Sequence, residues 1–315
     1  MKKIKQLLSL VLVSALSLGL ISCGNGSTSS GNTSSGDPTQ SESTDGATGQ
    51  GADSLKVHID VEVASMDPQI ATDGTSFEVL AAVTEGLFSV DDAGSPIKAL
   101  AENVEKSEDG LKYTITLKDA KWTNGTPVTA NDFVFAWRRL VDPKVASEYA
   151  FIVGIAGIKN ADDIAAGKMD LDQLGVTAKD DKTLEVELDT PVPFFESLMS
   201  FPSFLPVNEE FFNQCGDSFA TSPDTILCNG PFKITSYEPA ATTIELVKNE
   251  DYWDAGAVSL SGIKYQVIKD AQQTMLAYQN GDLDVATLSG EQVEQFQADS
   301  EFNNIMAGYL WYISP

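Results

Sequence analysis

A mixed α and β fold of about two domains is what this sequence predicts, on three observations. Segments of strict apolar and polar alternation, such as Leu55–Val61 and Leu111–Leu117, read as half-buried strands. Other stretches carry apolar residues at helical spacing, most clearly Phe133, Val134, Trp137, Leu140 and Val141. A chain of 315 residues, 42% of them hydrophobic, is long enough to bury a sizeable core. No period of roughly 20 to 50 residues recurs, which sets aside solenoids and propellers.

In chain order, the first strand runs from Leu55, and Ser65-Met66-Asp67-Pro68 ends it with turn chemistry. Leu80, Val83, Leu87 and Phe88 predict a helix over 77–88 that closes near Gly86. After the strand at 111–117, Asn124-Gly125 supplies the positive φ of a tight turn. Thr129 followed by Asp132 forms a capping box for the helix that carries Phe133 and Trp137 and stops near Asp142-Pro143. Further strands are expected at 183–188, 232–237, 244–247, 262–268 and 283–286, with a helix at 271–280 closed by Gly281.

Charge and residue usage exclude several functions. With 46 acidic against 20 basic residues the net charge is −26, so no basic surface exists to gather phosphates or anionic headgroups. The single histidine, His58, stands in an alternating strand and is expected to face solvent, leaving triads and histidine metal clusters nothing to draw on. No phosphate loop or dinucleotide fingerprint is present, and the acidic pairs Asp162-Asp163 and Asp180-Asp181 read as solvated surface. No catalytic residue, cofactor or metal is therefore expected.

The N-terminus reads as an export and anchoring device. Lys2, Lys3 and Lys5 precede an apolar run from Leu7 to Ile21, the layout of a signal peptide too short for a comfortable membrane span. Leu20-Ile21-Ser22-Cys23 follows and resembles the bacterial lipobox, so 1–22 is expected to be removed and Cys23 to be acylated. Gly24–Ala52 is built of Gly, Ser, Thr and other polar residues without Leu, Ile, Val or an aromatic, a flexible tether reaching about 30 Å. In an exported protein, Cys215 and Cys228 are left open between a disulfide, which would close a loop of about 14 residues, and two free thiols.

An ordered set of segments carries a family resemblance. Ser65-Met66-Asp67-Pro68-Gln69, Glu85-Gly86-Leu87-Phe88 and the run from Lys121 through Trp122, Asn124-Gly125, Asp132-Phe133 and Trp137 to Leu140 come first. Asp142-Pro143, Asn229-Gly230-Pro231-Phe232, Asn249–Asp254 and Gly281–Asp284 continue it. Together they resemble the oligopeptide-binding proteins of ABC importers, solute-binding family 5, from about Leu55 to the last residue.

That resemblance implies a periplasmic-binding-protein-like type II two-lobe fold of the dipeptide/oligopeptide-binding subclass, with the second lobe largely missing here. It implies a discontinuous first domain at 53–84 and 208–307, an inserted second domain at 85–207, and the start of a third at 308–315. It further implies capture of extended peptides through main-chain hydrogen bonds, and a monomer held on the outer face of the cell membrane, the periplasmic side in a Gram-negative cell. Membrane permeases, with ATPases behind them, would be its partners. Thr72, Asp73 and Gly74 correspond to a backbone-pairing segment, and Tyr149 to an aromatic that the inserted domain presents to the ligand; a surface loop and core packing are the plainer readings. Gly308–Pro315 reads as a strand lacking its partner, and because the resemblance implies that half the cleft and its charge partner are absent, this chain alone is expected to bind peptides weakly or not at all. A surface peptide-sensing receptor or adhesin, or a binder of dipeptides, nickel chelates or oligosaccharides, are the competing functions; an exported enzyme finds no supporting constellation.

Overall fold

The structure is a computed structural model that describes residues 54–304. The signal peptide, Cys23, the tether and the final strand at 308–315 lie outside the described residues. The elements in order are β1 (Leu55–Ile59), α1 (Gly74–Val83), β2 (Phe88–Val90), β3 (Pro96–Lys98), β4 (Ala101–Lys106), β5 (Lys112–Leu117), α2 (Ala130–Val141), α3 (Phe151–Ile155) and α4 (Ala161–Ala165). They continue with β6 (Val176–Asp180), β7 (Thr183–Glu187), α5 (Phe195–Leu198), α6 (Glu209–Cys215), β8 (Phe232–Ser236), β9 (Thr243–Lys248), β10 (Gly262–Val267), α7 (Ala271–Gln279) and α8 (Gly290–Phe296).

One sheet has the order β1-β10-β9-β8, with β1 parallel to β10 and the other pairs antiparallel. A second, wholly antiparallel sheet has the order β4-β5-β7-β6, and β2 and β3 form a small hairpin. Alternation explains the second sheet: in β5, Tyr113, Ile115 and Leu117 are buried while Lys112, Thr114 and Thr116 are not. The amphipathic α2 lies against β6 and β7 and completes that layer.

Buried residues gather into two cores. One contains Leu87, Tyr113, Trp122, Phe133, Trp137, Val186, Phe195 and their neighbours, all within 87–207. The other joins Val57, Leu80 and Val83 to Leu205, Cys228, Leu246 and Tyr265. A buried ion pair stitches them together. The Arg139 guanidinium donates to both Asp67 oxygens at 2.7 and 3.2 Å and to Gln69 Oε1 at 2.7 Å. Gln69 in turn donates to the carbonyls of Ser203 and Leu205, each at 3.2 Å.

Three expectations need correction. The helix expected over 77–88 spans 74–83, because Asp73 caps it early and the Glu85 N–H is taken by Asn229 Oδ1 at 2.8 Å instead of a helical carbonyl. The strand at 283–286 is reduced to a single bridge between Val57 and Val285, because the Asp284 carboxylate occupies the Lys56 N–H at 2.7 Å and interrupts the ladder. His58 does not face solvent: its side chain is 6% exposed and Nε2 accepts the Thr287 N–H at 3.1 Å. Burial lowers its pKa, against the opposing charge of Asp60.

Candidate functional site

Local chemistry at the start of α1 decides what Thr72–Gly74 can do. The Asp73 Oδ1 accepts the Ser76 N–H at 2.8 Å and Oδ2 accepts the Ser76 hydroxyl at 2.6 Å, an N-cap that starts the helix at Gly74. Ser76 Oγ itself accepts the N–H groups of Ala64 and Ser65, at 3.1 and 3.2 Å, which ties this turn to the segment after β1. Thr72 and Gly74 remain exposed, and the first-turn N–H groups of a helix have no intrahelical acceptor. The segment is thus an exposed backbone edge fixed to α1 by its cap.

Tyr149 meets the helix that this edge begins, through Phe77. Phe77, one turn past Gly74, meets the Tyr149 ring edge-on at 5.7 Å and the Phe201 ring at 5.2 Å. Tyr149 lies 4.9 Å from Phe201 and stacks on Phe151 at 5.8 Å. Phe77 packs against one core and Tyr149 and Phe201 against the other, so the four rings bridge the two. Phe151 is 57% exposed, and the Tyr149 hydroxyl makes no hydrogen bond among the described residues. Phe77 and Phe201 carried no signal in the sequence, since 124 residues separate them without a shared periodicity.

Several of the segments that carried the family resemblance assemble elsewhere, at the crossing between the cores. The Glu85 carboxylate accepts from the Tyr252 hydroxyl at 2.8 Å and from the Trp253 indole N–H, and the Lys118 ammonium sits 3.5 Å over the Trp253 ring. Burial pushes Glu85 up to about 7 despite those donors. Asn229 brackets the same residue through its backbone, accepting the Glu85 N–H and donating to the Glu85 carbonyl at 3.1 Å. Gly230 is required here, because a Cβ would stand 2.8 Å from the Val83 carbonyl carbon. At the other end of the crossing, Asp132 accepts from the Thr129 N–H, Trp122 Nε1 and Asn208 Nδ2 at 2.8, 3.0 and 3.3 Å, and burial raises it to about 6.

Of the two alternatives left open for the cysteines, the structure has free thiols. Cys215 ends α6 and is partly exposed, whereas Cys228 is buried and its thiol is pushed up to about 11 by desolvation. Among the described residues no group of three or more His, Cys, Asp or Glu could hold a metal ion, and no helix is long and apolar enough to cross a membrane.

The fold of this two-core α/β body is that of the type II periplasmic binding proteins. The peptide-bound OppA of Listeria monocytogenes superposes with a TM-score of 0.76 at 38% identity, over 80% of this chain and 49% of that one. The pheromone receptor PrgZ, solved for its mode of peptide binding, gives 0.76 at 38% identity over 79% and 50%. The dipeptide-binding protein of Lactococcus lactis is 40% identical over 240 residues, which are 75% of this chain and 43% of that protein. Residues 95–314 match the bacterial extracellular solute-binding proteins, family 5 Middle, and the chain belongs to that family. It spans about half the length of the curated relatives it matches.

Proposed function

We propose that this chain is the ligand-capturing part of a lipid-anchored solute-binding protein that collects extracellular peptides for an ABC importer. The observation that carries the reading is the rim: the backbone edge at Thr72, Asp73 and Gly74 stands one helical turn from Phe77, which contacts Tyr149. An extended peptide can pair with such an edge through its amides while an aromatic neighbour covers its side chains. Family membership and the peptide-bound relative support the ligand class.

In this reading the domain at 53–84 and 208–307 and the inserted domain at 85–207 correspond to the two buried cores, and acylated Cys23 with its tether holds them outside the cell. Membrane permeases receive the ligand, and separate ATPases drive them. Calorimetry of this chain against a mixed pool of short peptides tests the capture step, with Tyr149→Ala as the comparison. Heat of binding that is weakened by the substitution supports it, and a pool that binds neither form refutes it. Metabolic labelling with palmitate, with Cys23→Ser as control, tests the anchor.

A second reading, a surface receptor that senses peptides without import, is favoured by the likeness to the pheromone receptor PrgZ. Uptake of a labelled peptide by cells that carry the gene, compared with cells that lack it, separates the two.

A further inference from the structure

Family resemblance alone implies capture indifferent to side chains, but the rim is not built that way. Its four rings lie 4.9 to 5.8 Å apart in edge-on, tilted and stacked contacts, and the Tyr149 hydroxyl is the one polar group they carry. Phe151 ends the series and leaves 57% of its surface open, on a helix whose Ile155 is 49% exposed. A solvated ring face of this kind rewards an apolar group that covers it and offers little to a polar one, whose hydration it would strip without replacement.

We propose that the shelf formed by Phe77, Tyr149, Phe201 and Phe151 is a specificity element that selects peptides carrying a large apolar or aromatic side chain at one position. This rests on the peptide-capture reading above. Phe77 is displaced about 4.5 Å along the helix axis from Gly74, less than the roughly 7 Å between same-face side chains of a strand, and Tyr149 and Phe151 continue the shelf from it. A side chain of an extended ligand that pairs beside Gly74 is thus within reach of the rings.

The test is calorimetry of this chain with alanine tetrapeptides in which each position in turn is Ala, Leu, Phe, Ser or Glu. At one position Phe and Leu are expected to bind about tenfold tighter than Ser and Glu, the scale of one apolar contact in a pocket. Phe151→Ala should collapse that ratio, and Phe151→Leu, which keeps an apolar surface, should retain part of it. Binding of the peptides without a positional preference, or a preference that Phe151→Ala leaves intact, overturns the inference and spares the capture reading. No binding of any peptide overturns both. Dimerisation by sedimentation that Phe151→Ala abolishes would assign the shelf to self-association and overturn it as well.

Discussion

The crossing at Glu85 and the rim at Tyr149 both join the two cores with aromatic and acidic side chains, yet they are built to opposite ends. Around Glu85 the polar groups are paired: both Glu85 oxygens accept a donor, Asn229 brackets its backbone, and Lys118 covers the indole. At the rim the partners run out, with a tyrosine hydroxyl that has no hydrogen bond among the described residues, a half-open phenylalanine and an exposed backbone edge. A saturated contact holds segments together, and an unsaturated one is available to a ligand. Most of the residues that carry the family resemblance thus belong to the structural crossing, and those proposed to meet a ligand lie on the rim.

The sharpest way to break the comparison is at the buried pair that supports the crossing. Asp67→Ala leaves the Arg139 guanidinium buried and with Gln69 as its remaining hydrogen-bonded side chain. Removing one partner of such a pair costs about 3–5 kcal/mol, which chemical denaturation should register. Peptide binding should fall only in proportion to the unfolded fraction.

Next in size is a pH effect that contrasts two carboxyls of equal shift. Burial raises both Glu78, on the rim helix, and Glu85 to about 7 from 4.5. A raised folded pKa means that the native state holds the proton longer, so each group contributes stability that declines as pH rises from about 4.5 to 7. Their surroundings differ, however. Glu78 Oε1 is buried without a hydrogen-bond partner among the described residues and Asp60 lies close enough to repel it, whereas both Glu85 oxygens accept hydrogen bonds. Glu78→Gln should therefore raise the melting temperature at pH 7.5 and flatten its pH dependence. Glu85→Gln should lower it, because an amide NH2 would face either the Trp253 or the Tyr252 donor. Thermal melts at pH 5 and pH 7.5 check both.

Gly230→Ala acts on the crossing alone. The added methyl would meet the Val83 and Thr84 backbone at 2.8 to 3.0 Å, atoms that cannot rotate away. Overpacking of that kind costs about 1–3 kcal/mol, and the expected result is a lower denaturation midpoint with little change in peptide preference.

What was legible in the sequence follows the same division. Helix α2 could be read in full because its cap, its apolar face and its Asp142-Pro143 stop are all local, and the structure places it at Ala130–Val141. Helices α6 and α8 were passed over although Asn208 and the Ser289 and Gln292 pair carry cap chemistry, because few apolar residues mark an inward face. The error at 283–286 came from a side chain, Asp284, that competes with the backbone, which alternation cannot report. His58 was misjudged because the segment that covers it comes 229 residues later. Of the proposed rim, Thr72–Gly74 and Tyr149 are candidates that the resemblance supplies, whereas Phe77 and Phe201 join Tyr149 only through tertiary contact.

The smallest expected change in stability sits on the rim and sharpens the comparison most. Asp73→Ala removes the cap of α1, worth about 1 kcal/mol, and releases the Ser76 hydroxyl that holds the N–H groups of Ala64 and Ser65. A structural cap alone would lower stability by that amount and leave ligand affinity untouched. An edge that pairs with peptide amides needs Gly74 held in register, so the peptide dissociation constant should rise more than the loss of folded protein accounts for. Asp73→Asn keeps an acceptor for the Ser76 N–H and should restore most of the stability. Affinity recovering alongside it would make the helix start a positioning element of the ligand edge, and unchanged affinity in Asp73→Ala would remove Thr72–Gly74 from the site while leaving the aromatic rim in place.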